Sequence, residues 1–403
     1  MPSEFARHWT LDPSITFLNH GSFGATPRPV LEAQTTWRER MEREPVAFFV
    51  RDLEPAMDHA RAVLGGFIGA DPDDLAFVPN ATTGINTVAR SLELQPGDEI
   101  LTTDHAYNAV RNALEAAAKR VGARVTVAAL PFPGLTPTTA IELVVGAVTP
   151  RTRLVVIDHV TSTSAVVLPV EEIVRGLTDR GIDTLVDGAH APGMLDLDVA
   201  SIGAAYYTGN GHKWLSAPKG AGFLHVRRDL HPRVRPLAIS HGANSPRSDR
   251  SRFRLEHDWT GTADPSAYLS IPAAVEFGAG LLEGGWPALR ARNHEVALRG
   301  RELLCSALGI DPPVPDEMVG SMATVALSLE SDNAPVDDGI TDDELHAALE
   351  SQGIQVMVAP WPMRPERGRW RRVIRISAAP YVAIDDFERL ARALPTALAT
   401  LAD

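Results

Sequence analysis

The chain of 403 residues is 44% hydrophobic and 22% charged, and its formal net charge is −13. This composition is typical of a soluble globular protein, and the length exceeds one ordinary core, so we expect two domains. The negative charge repels phosphates at long range, which argues against nucleic acid and anionic membranes as partners.

The sequence shows no recognisable targeting or membrane segment. Residues 1–5 have neither the basic head nor the apolar core of a signal peptide, and no apolar run reaches the length of a bilayer span. Cys305 is the only cysteine, which excludes an intrachain disulfide and a thiolate metal cluster. We therefore expect a cytoplasmic protein without a metal centre.

The first 25 residues are predicted to form an arm that ends in the stretch Leu18–Gly24. Two glycines surround Phe23 there, a pattern that suggests a loop whose backbone comes close to another group. A plain turn before the next helix is the alternative. Helices are predicted to follow at 30–44 and 56–68.

A candidate anion site follows the first predicted strand, Leu75–Val78. The hydroxyl-rich turn Asn80–Gly84 opens a helix, and a helix N-terminus offers free N–H groups and a partial positive charge. Thr82 and Thr83 add hydroxyl donors. The turn has neither the Walker A pattern nor the glycine pattern of a dinucleotide site. Ordinary capping of the helix by Asn80 or Thr82 is the alternative.

Strands and amphipathic helices then alternate. The predicted strands are 75–78, 99–102, 124–130, 154–158, 184–187, 204–208 and 222–226, and the helices between them are 85–92, 109–121, 140–148 and 170–180. Such near-continuous apolar strands predict an α/β fold with a mostly parallel sheet covered on both faces. Ligands bind beyond the carboxyl ends of the strands in such sheets. Polar residues collect at five of these ends: Thr82 and Thr83, His105 and Tyr107, His159 and Ser162, Asp187 and His190, and His212 and Lys213.

Lysine is rare in this chain, and one lysine is singled out by its surroundings. Of 38 basic residues only Lys119, Lys213 and Lys219 are lysines, so 35 are arginines, which cannot form a Schiff base. Lys119 lies on a polar helix face, and Lys219 follows a proline in a turn. Lys213 lies in Gly211-His212-Lys213, just after a predicted strand, and is the candidate for amine chemistry.

The C-terminal part is predicted to be a small α+β domain. Its predicted elements are a helix at 293–308, a strand at 322–329, an acidic linker at 332–338, a helix at 341–352, a strand at 373–376 and a last helix after Ile384. Cys305 lies on an apolar stretch and is predicted to pack in the core. Residues 240–265, before this domain, are predicted to form a long loop. The predicted division is an arm at 1–25, a large domain at 26–283 and a small domain at 284–403.

These residues match what pyridoxal 5'-phosphate (PLP) needs from a protein, namely an amine, a phosphate cradle, a carboxylate at the pyridine nitrogen and a ring stack. Lys213 is the candidate amine. Asp187 ends an apolar strand and is the candidate carboxylate, although a helix cap or an ion pair is an alternative role. The candidates for the phosphate are Thr82, Thr83, Asn210 and His212, and those for the ring stack are Tyr107 and His105.

The segment Asp187-Gly188-Ala189-His190, followed by Gly211-His212-Lys213, resembles the PLP signature of class V aminotransferases and cysteine desulfurases. Leu18–Gly24 and Asn80–Thr83 resemble the isopenicillin N epimerase-like group within that class. The resemblance implies the PLP-dependent transferase fold type I, with a mostly parallel seven-stranded sheet in the large domain and a small C-terminal α+β domain.

The same resemblance implies further roles. Tyr107 matches the ring-stacking position, and His190 lies near the phenolic oxygen of PLP with Ser162 nearby. Thr260 and Thr262 match the segment that reaches the phosphate of a partner subunit, which implies a homodimer with shared sites. The residues expected at the substrate are Asn19, His20 and Arg375, the last as the clamp on its carboxylate. A structural salt bridge from an edge strand is the alternative role for Arg375.

Several reactions can follow removal of a Cα proton by Lys213. Desulfuration is disfavoured because Cys305 lies in a predicted helix rather than on a mobile loop. Beta-elimination needs Lys213 and a leaving group at Cβ, typically sulfur, whereas epimerisation needs a second acid on the opposite face. We expect C–S beta-elimination of a cysteine S-conjugate in natural-product biosynthesis, with epimerisation as the alternative and decarboxylating deamination as a further one.

Two other features bear on function. The loops 240–257 and 360–367 are rich in Arg or Trp and are expected to set the size of the substrate, which suits a bulky, polar amino acid. A non-catalytic PLP-fold regulator is the alternative from a different class. Only about 25 residues precede the predicted core, and the net charge is negative, so a DNA-binding function is disfavoured.

Overall fold

A computed structural model describes residues 3–327, 341–362, 364 and 371–402. Its strands are β1 (Thr16–Phe17), β2 (Leu75–Val78), β3 (Glu99–Thr103), β4 (Arg124–Ala128), β5 (Thr152–Asp158), β6 (Asp183–Gly188), β7 (Tyr206–Asn210), β8 (Gly222–Val226), β9 (Met322–Ala326), β10 (Ile354–Gln355), β11 (Met357–Trp361) and β12 (Arg371–Ser377).

The helices lie between and after these strands. They are α1 (Arg28–Arg43), α2 (Pro45–Ala47), α3 (Leu53–Ile68), α4 (Ala81–Ser91), α5 (Asn108–Val121), α6 (Pro137–Gly146), α7 (Val170–Thr178), α8 (Val199–Ile202), α9 (Arg252–His257), α10 (Ser266–Leu269), α11 (Ile271–Leu281), α12 (Gly285–Leu308), α13 (Asp342–Glu350) and α14 (Ile384–Ala402). None of these described helices is both long enough and apolar enough to cross a bilayer.

The main sheet has seven strands in the order β2-β8-β7-β6-β5-β3-β4. Six of them are parallel to one another, and β8 alone runs in the opposite direction, between β2 and β7. This confirms the predicted mostly parallel α/β sheet. The carboxyl ends of the six parallel strands meet at one edge, which is where the polar residues were predicted to gather.

Helices cover both faces of the main sheet because its strands are apolar on both sides. On one face, Ile85 and Val88 of α4 and Leu114 of α5 pack against Val156 and Leu224. On the other face, a larger cluster joins α7 to the sheet and continues into the C-terminal part of the chain. Burial on both faces explains why these strands read as continuous apolar runs.

A second, antiparallel sheet has the order β11-β12-β9, so β12 is its central strand. Helix α12 packs on β9 and β12, and α14 packs on α12. Cys305 of α12 is buried in the core, as predicted. The strand β1 pairs in parallel with β10, so the N-terminal segment is attached to the C-terminal part of the chain. The division into an arm, a large domain and a small domain stays a prediction.

The structure corrects the prediction of a long loop at 240–265. This segment contains a 3-10 turn at His241–Asn244 and the helix α9, which is capped by the hydroxyl of Ser251. The buried Arg254 of α9 bonds to Asp73 at 2.8 Å, and buried Arg61 pairs with Asp258. Tertiary ion pairs therefore fold a segment whose composition suggested a loop.

The other element predictions hold with shifted ends. Helix α12 begins at Gly285 rather than at Asn293, and β7 is displaced by two residues from the predicted 204–208. The strand predicted at 322–329 is β9, which ends at Ala326. Residues 328 and 329 and the acidic linker at 332–338 lie outside the described residues.

Candidate active site

A cavity of about 440 Å³ opens at the carboxyl ends of the parallel strands. It is lined by Gly21, Ser22, Phe23, Gly24, Asn80, Ala81, Thr82, Tyr107, Asp158, Ser162, Asp187, Ala189, His190, Asn210, His212, Lys213 and Lys219. The volume lies in the range of small-molecule and cofactor sites. The structure thus brings together residues from all five of the predicted strand ends and from the glycine-rich stretch near the N-terminus.

Lys213 follows β7 and lies in this cavity with its amine against a histidine. The distance between Lys213 Nζ and His190 Nε2 is 3.1 Å. Burial, reinforced by the charge of Arg375, lowers the pKa of Lys213 to about 8, although Asp187 and Asp158 oppose the shift. The amine is therefore available in its neutral, nucleophilic form far more readily than that of an ordinary lysine.

The tautomer of His190 follows from its other neighbour. The indole N–H of Trp214 donates to His190 Nδ1 at 3.4 Å, so the proton of the neutral ring lies on Nε2, facing Lys213. Burial lowers the pKa of His190 well below its ordinary value, and the charge of Lys213 adds to this effect. His190 is therefore a neutral hydrogen-bond donor at the lysine.

Asp187 near the end of β6 is buried and points into the cavity. Its Oδ1 accepts the backbone N–H of Ala189 at 3.0 Å. Burial raises the pKa of Asp187, whereas this hydrogen bond and the charge of Lys213 lower it. A cation or a protonated ring nitrogen that enters the cavity would meet a carboxylate that has little water around it.

The N-terminus of α4 forms one wall of the cavity, as the anion-site prediction requires. Asn80 is the N-cap, because its side chain accepts the backbone N–H of Thr83 at 2.9 Å. The side chain of Asn210 accepts the backbone N–H of Ala81 at 2.8 Å, which ties the helix to the end of β7. Thr82 lines the cavity, and the positive end of α4 faces it.

Thr83 lies elsewhere, although it was expected at the phosphate. Its hydroxyl donates to Asn80 Oδ1 at 3.1 Å, and it lines a neighbouring cavity instead of that of Lys213. Residues 82 and 83 are consecutive on a helix and so point in different directions. Thr82 and the backbone N–H groups therefore remain the donors at this wall.

His212 lines the cavity and is held by a backbone carbonyl. Its Nδ1 donates to Ala221 O at 3.0 Å, so Nε2 carries no proton while the ring is neutral. Burial lowers the pKa of His212 to about 4, and the charge of Lys213 contributes. Its expected role as a phosphate donor requires the charged ring, which a bound dianion would favour.

Arg375 of β12 is 1% exposed and is surrounded by neutral oxygens. Its Nη1 donates to Ser162 O at 2.6 Å, and its Nη2 donates to Ser22 Oγ at 2.6 Å and to Asn19 Oδ1 at 3.1 Å. Its buried Nε has no acceptor within the described chain. No described carboxylate forms an ion pair with Arg375, and β12 is a central strand, so the salt-bridge alternative is not what the structure shows.

The glycine-rich stretch Leu18–Gly24 approaches the site closely, as its glycines suggested. A side chain at Gly24 would place its Cβ 2.7 Å from His212 O and 3.0 Å from Lys213 Cα. Between this contact and Ser22, which holds Arg375, the ring of Phe23 is 77% exposed at the cavity. The backbone on both sides of Phe23 is thus fixed while its side chain is free to contact a ligand.

Tyr107 and His105, the two candidates for a ring stack, have different positions. Tyr107 precedes α5, is 46% exposed and lines the cavity. His105 is buried, bonds to Ser164 Oγ at 2.6 Å and packs against Trp361. Tyr107 is therefore the aromatic side chain that can reach a bound ring.

Asn19 and His20, expected at the substrate, support other residues of the site. Asn19 holds Arg375. His20 is buried, with Nδ1 2.7 Å from the hydroxyl of Tyr381 and Nε2 3.0 Å from Lys213 O. Neither residue lines the cavity in this structure. His20 thus holds the backbone carbonyl of Lys213 in place.

Thr260 and Thr262, expected to reach a partner subunit, lie outside the Lys213 cavity. Both are exposed, and Thr260 lines the neighbouring cavity together with Thr83 and Tyr268. The segments expected to set substrate size also lie outside the Lys213 cavity as far as they are described. Residues 363 and 365–367 are not described, and Arg364 bonds to Asn108 of α5 at 2.9 Å.

Sequence reasoning missed Asp158 and Lys219, which both line the cavity. Lys219 was interpreted as a turn lysine, yet its Nζ points toward Thr26 Oγ1 at 3.4 Å and forms no ion pair with a described carboxylate. The available signal was its place six residues after Lys213 in a chain with three lysines. Asp158 ends an apolar strand in the same way as Asp187, a parallel that could have identified it.

Comparisons with known proteins give a family match, curated relatives and structural neighbours. The family model of class-V aminotransferases matches residues 25–390. Isopenicillin N epimerase of Amycolatopsis lactamdurans is 37% identical over 96% of each chain. A probable chloroplastic L-cysteine desulfhydrase of Arabidopsis thaliana is 35% identical over 81% of this chain and 70% of its own. A solved C-DES mutant, with glycine covalently linked to its PLP cofactor, has a TM-score of 0.79 at 22% identity over 99% of both chains.

Proposed function

The chain belongs to the class-V aminotransferase family, and from that premise we propose that it is a PLP-dependent lyase. The proposed reaction removes the Cα proton of an amino-acid substrate and expels a sulfur leaving group from Cβ of a cysteine S-conjugate. We place that substrate in natural-product biosynthesis. L-cysteine desulfhydrases among the relatives support a reaction at a carbon–sulfur bond.

The residues of the cavity fit PLP. Lys213 supplies the amine, Asp187 a buried carboxylate for the ring nitrogen, and Tyr107 an aromatic ring beside it. The N-terminus of α4 with Thr82 supplies donors for the phosphate. When bound, PLP forms a Schiff base with an amine and withdraws electrons from the bonds at Cα.

The observation that carries the proposal is the pair of Lys213 and His190 at 3.1 Å. The neutral His190 presents its Nε2–H to the amine, and the pKa of Lys213 is about 8. An amine in this state can take up the Cα proton and release it again near neutral pH. One such base on one face is sufficient for elimination of a group at Cβ.

Arg375 is the proposed anchor of the substrate carboxylate. A buried guanidinium that is bonded only to neutral oxygens has a strong preference for a carboxylate. The hydroxyl of Ser22 and the amide of Asn19 occupy Nη2. A substrate carboxylate would replace one of these oxygens, so the stretch Leu18–Gly24 adjusts when substrate binds.

We also propose a homodimer in which Thr260 and Thr262 reach the phosphate in the partner's cavity. Both residues are exposed, and Val46, Val50 and Ile239 are large apolar side chains that are more than half exposed. Exposed apolar residues of this size are typical of an interaction surface. Completion of the phosphate site by a second copy would explain why Thr260 lies outside the Lys213 cavity of its own chain.

Epimerisation of an amino acid is the second candidate. The epimerase relative matches 96% of both chains, which favours it. Epimerisation requires a proton donor opposite Lys213, and Tyr107 is the phenol that lines the cavity. Tyr107→Phe removes this proton but keeps the aromatic ring, so it separates the two reactions.

Proton NMR in D2O, with cysteine S-conjugates and free L-amino acids, tests the proposal. Release of pyruvate, ammonia and a thiol by the wild-type protein and by Tyr107→Phe, but not by Lys213→Ala, is the expected result. Exchange of the Cα proton with formation of the other epimer, abolished in Tyr107→Phe, would establish the epimerase and refute the lyase. Lys213→Ala should also lose the bond to PLP that borohydride reduces.

A further inference from the structure

A second carboxylate lies beside Asp187 and has no role in the reaction as proposed so far. Asp158 is the last residue of β5 and pairs in register with Asp187 of β6. Paired positions on adjacent parallel strands direct their side chains to the same face of the sheet. Both residues line the cavity of Lys213, and Asp158 is 4% exposed.

Asp158 lacks the partners that a buried anion requires. No other described residue donates a hydrogen bond to its carboxyl group, and no described arginine or lysine forms an ion pair with it; the N–H that reaches it is its own. Asp187 accepts the backbone N–H of Ala189 at 3.0 Å. The two groups thus differ in how well each can hold a negative charge.

We propose that Asp158 and Asp187 hold one proton between them, with Asp158 as the neutral acid that donates to the Asp187 carboxylate, which faces the ring nitrogen of PLP. This inference rests on the proposed PLP site and deepens it. Asp158 acts through Asp187 rather than on the cofactor, so it is a positioning residue. Its hydrogen bond keeps Asp187 ionised and opposite the ring nitrogen.

The electrostatics of the pair agree with this assignment. Burial raises the pKa of Asp158 well above its ordinary value, and the negative charge of Asp187 raises it further. The pKa of Asp187 is also raised by burial. A backbone N–H and the charge of Lys213 lower the pKa of both groups, but only the pKa of Asp158 is raised further by the charge of the other carboxylate. Two carboxylates at paired strand positions in one buried cavity cannot both ionise easily, and the better-stabilised one keeps the charge.

The test uses PLP labelled with ¹⁵N in its ring, bound to the intact protein, because the nitrogen chemical shift reports protonation directly. Asp158→Asn should keep the wild-type shift, since the amide N–H can donate to Asp187 as the neutral acid does. Asp158→Ala removes the donor, so Asp187 becomes a stronger base and draws the proton from the ring nitrogen. Its shift should move toward the unprotonated value, and its PLP affinity should fall about tenfold or more.

Two further variants complete the comparison. Asp187→Asn should give an unprotonated ring nitrogen. The control is Thr184→Val, an isosteric change on the same strand as Asp187. The buried hydroxyl of Thr184 has no described hydrogen-bond partner, so this variant should leave the ¹⁵N chemical shift and the PLP affinity unchanged. If Asp158→Ala does not fold, infrared spectra of wild type and Asp158→Asn replace it: the carbonyl band of a protonated carboxylic acid should disappear in the variant.

Three results would refute the proton-sharing pair. They are an Asp158→Asn protein that behaves like Asp187→Asn, an Asp158→Ala protein with the wild-type shift and affinity, and an acid band that persists in Asp158→Asn. Each of these leaves PLP bound to Lys213 and so leaves the proposed function intact. Failure of the wild-type protein to bind PLP would refute the proposed function itself.

Discussion

Lys213 is surrounded by charges of both signs, and the balance makes it titrate in an accessible range. Burial and Arg375 lower the pKa of its amine to about 8, from an ordinary 10.5, while the carboxylate of Asp187 opposes the shift. His190, whose Nε2 lies 3.1 Å from the amine, is neutral because burial lowers its own pKa well below the ordinary value. Desolvation therefore contributes more to the lowered pKa of this amine than any single neighbouring charge does.

We predict that PLP capture by the cofactor-free protein rises with pH, with a midpoint near 8 for the step that needs the neutral amine. Between pH 8 and 10.5 the unfolded chain holds a proton here that the folded chain has released. The contribution of Lys213 to the free energy of unfolding therefore rises with pH between pH 8 and 10.5. Stopped-flow absorbance of the wild type, corrected with Lys213→Ala, measures the midpoint, and a value near 10 would contradict the predicted desolvation.

Lys219 offers a matched comparison within the small set of lysines. Lys219 and Lys119 are both exposed, but Lys219 lines the cavity and forms no ion pair with a described carboxylate, whereas Lys119 lies on α5 away from it. A cation at the wall of the cavity stabilises an anion such as the PLP phosphate. Lys219→Gln should weaken PLP affinity about tenfold, the value expected for a lost charged hydrogen bond. Lys119→Gln is the control in the same absorbance titration, and equal affinities in the two variants would rule out the role.

At the level of elements, the contact between the N-terminal glycine-rich stretch and the residues after β7 holds the site together. Gly24 lies against the backbone of His212 and Lys213, and His20 bonds to Lys213 O. The stretch is anchored at its other end by the pairing of β1 with β10. Movement of this stretch would therefore disturb Lys213 and Arg375 together.

Gly24→Ala tests this contact. The new methyl group would meet backbone atoms at 2.7 and 3.0 Å, so the loop must move away from Lys213. We expect a loss of about 1–3 kcal/mol in the free energy of unfolding, as for other overpacked sites. PLP affinity should fall as well.

The control for Gly24→Ala is Gly66→Ala. Gly66 lies on the exposed side of α3 with no atom within 4 Å of the added methyl. Alanine there should stabilise the helix by up to about 1 kcal/mol. Urea unfolding and PLP titration of both variants provide the comparison, and a Gly24→Ala protein as stable as wild type would show that the loop can shift freely.

The sequence was sufficient to predict the main sheet and the edge where the site lies, because apolar strands and their polar ends are local patterns. Lys213, Asp187 and Thr82 could be found in this way. Local patterns do not show which residues face each other across strands, so the pairing of Asp158 with Asp187 was missed. The same limit applies to His20, whose partners Tyr381 and Lys213 are distant in sequence.

The segment 240–265 shows a second limit. Its arginines and serines are typical of a loop, but Arg254 and Arg250 meet Asp58 of α3, and buried Arg61 meets Asp258. Ion pairs between distant segments fix α9 in place, and composition alone carries no information about them. Helix propensity is a weak prior that such contacts override.

At the scale of the whole molecule, the proposed homodimer with shared sites predicts intersubunit complementation, in which two variants that each bind PLP poorly form a functional site when they are combined in one dimer. A dimer of Lys213→Ala with a Thr260→Val, Thr262→Val double variant would contain one complete site, with its lysine from the second subunit and its threonines from the first. We expect each parent to bind PLP poorly and the mixed, refolded sample to regain up to a quarter of the wild-type sites. Random pairing makes about half of the dimers mixed, and each mixed dimer has one complete site out of two.

Light scattering and PLP titration of the parents and of the mixture measure this effect. The control is the two parents refolded separately and combined afterwards, a sample in which no mixed dimers have been formed by refolding. A monomer by light scattering, or a mixture that binds no more than its parents, would contradict shared sites.

The reversed strand β8 has a consequence for the order in which the protein can fold. Val78 pairs with Gly222, and Gly222 also packs on Asn80 at the start of α4. Contacts between residues so far apart in sequence form slowly, since a long loop must close first. Because β8 lies between β2 and β7, the edge of the sheet from which α4 starts is complete only once β8 has been inserted. On the ribosome, we therefore expect a nascent chain that already contains Lys213 to complete this wall of the cavity only after β8 has emerged and paired.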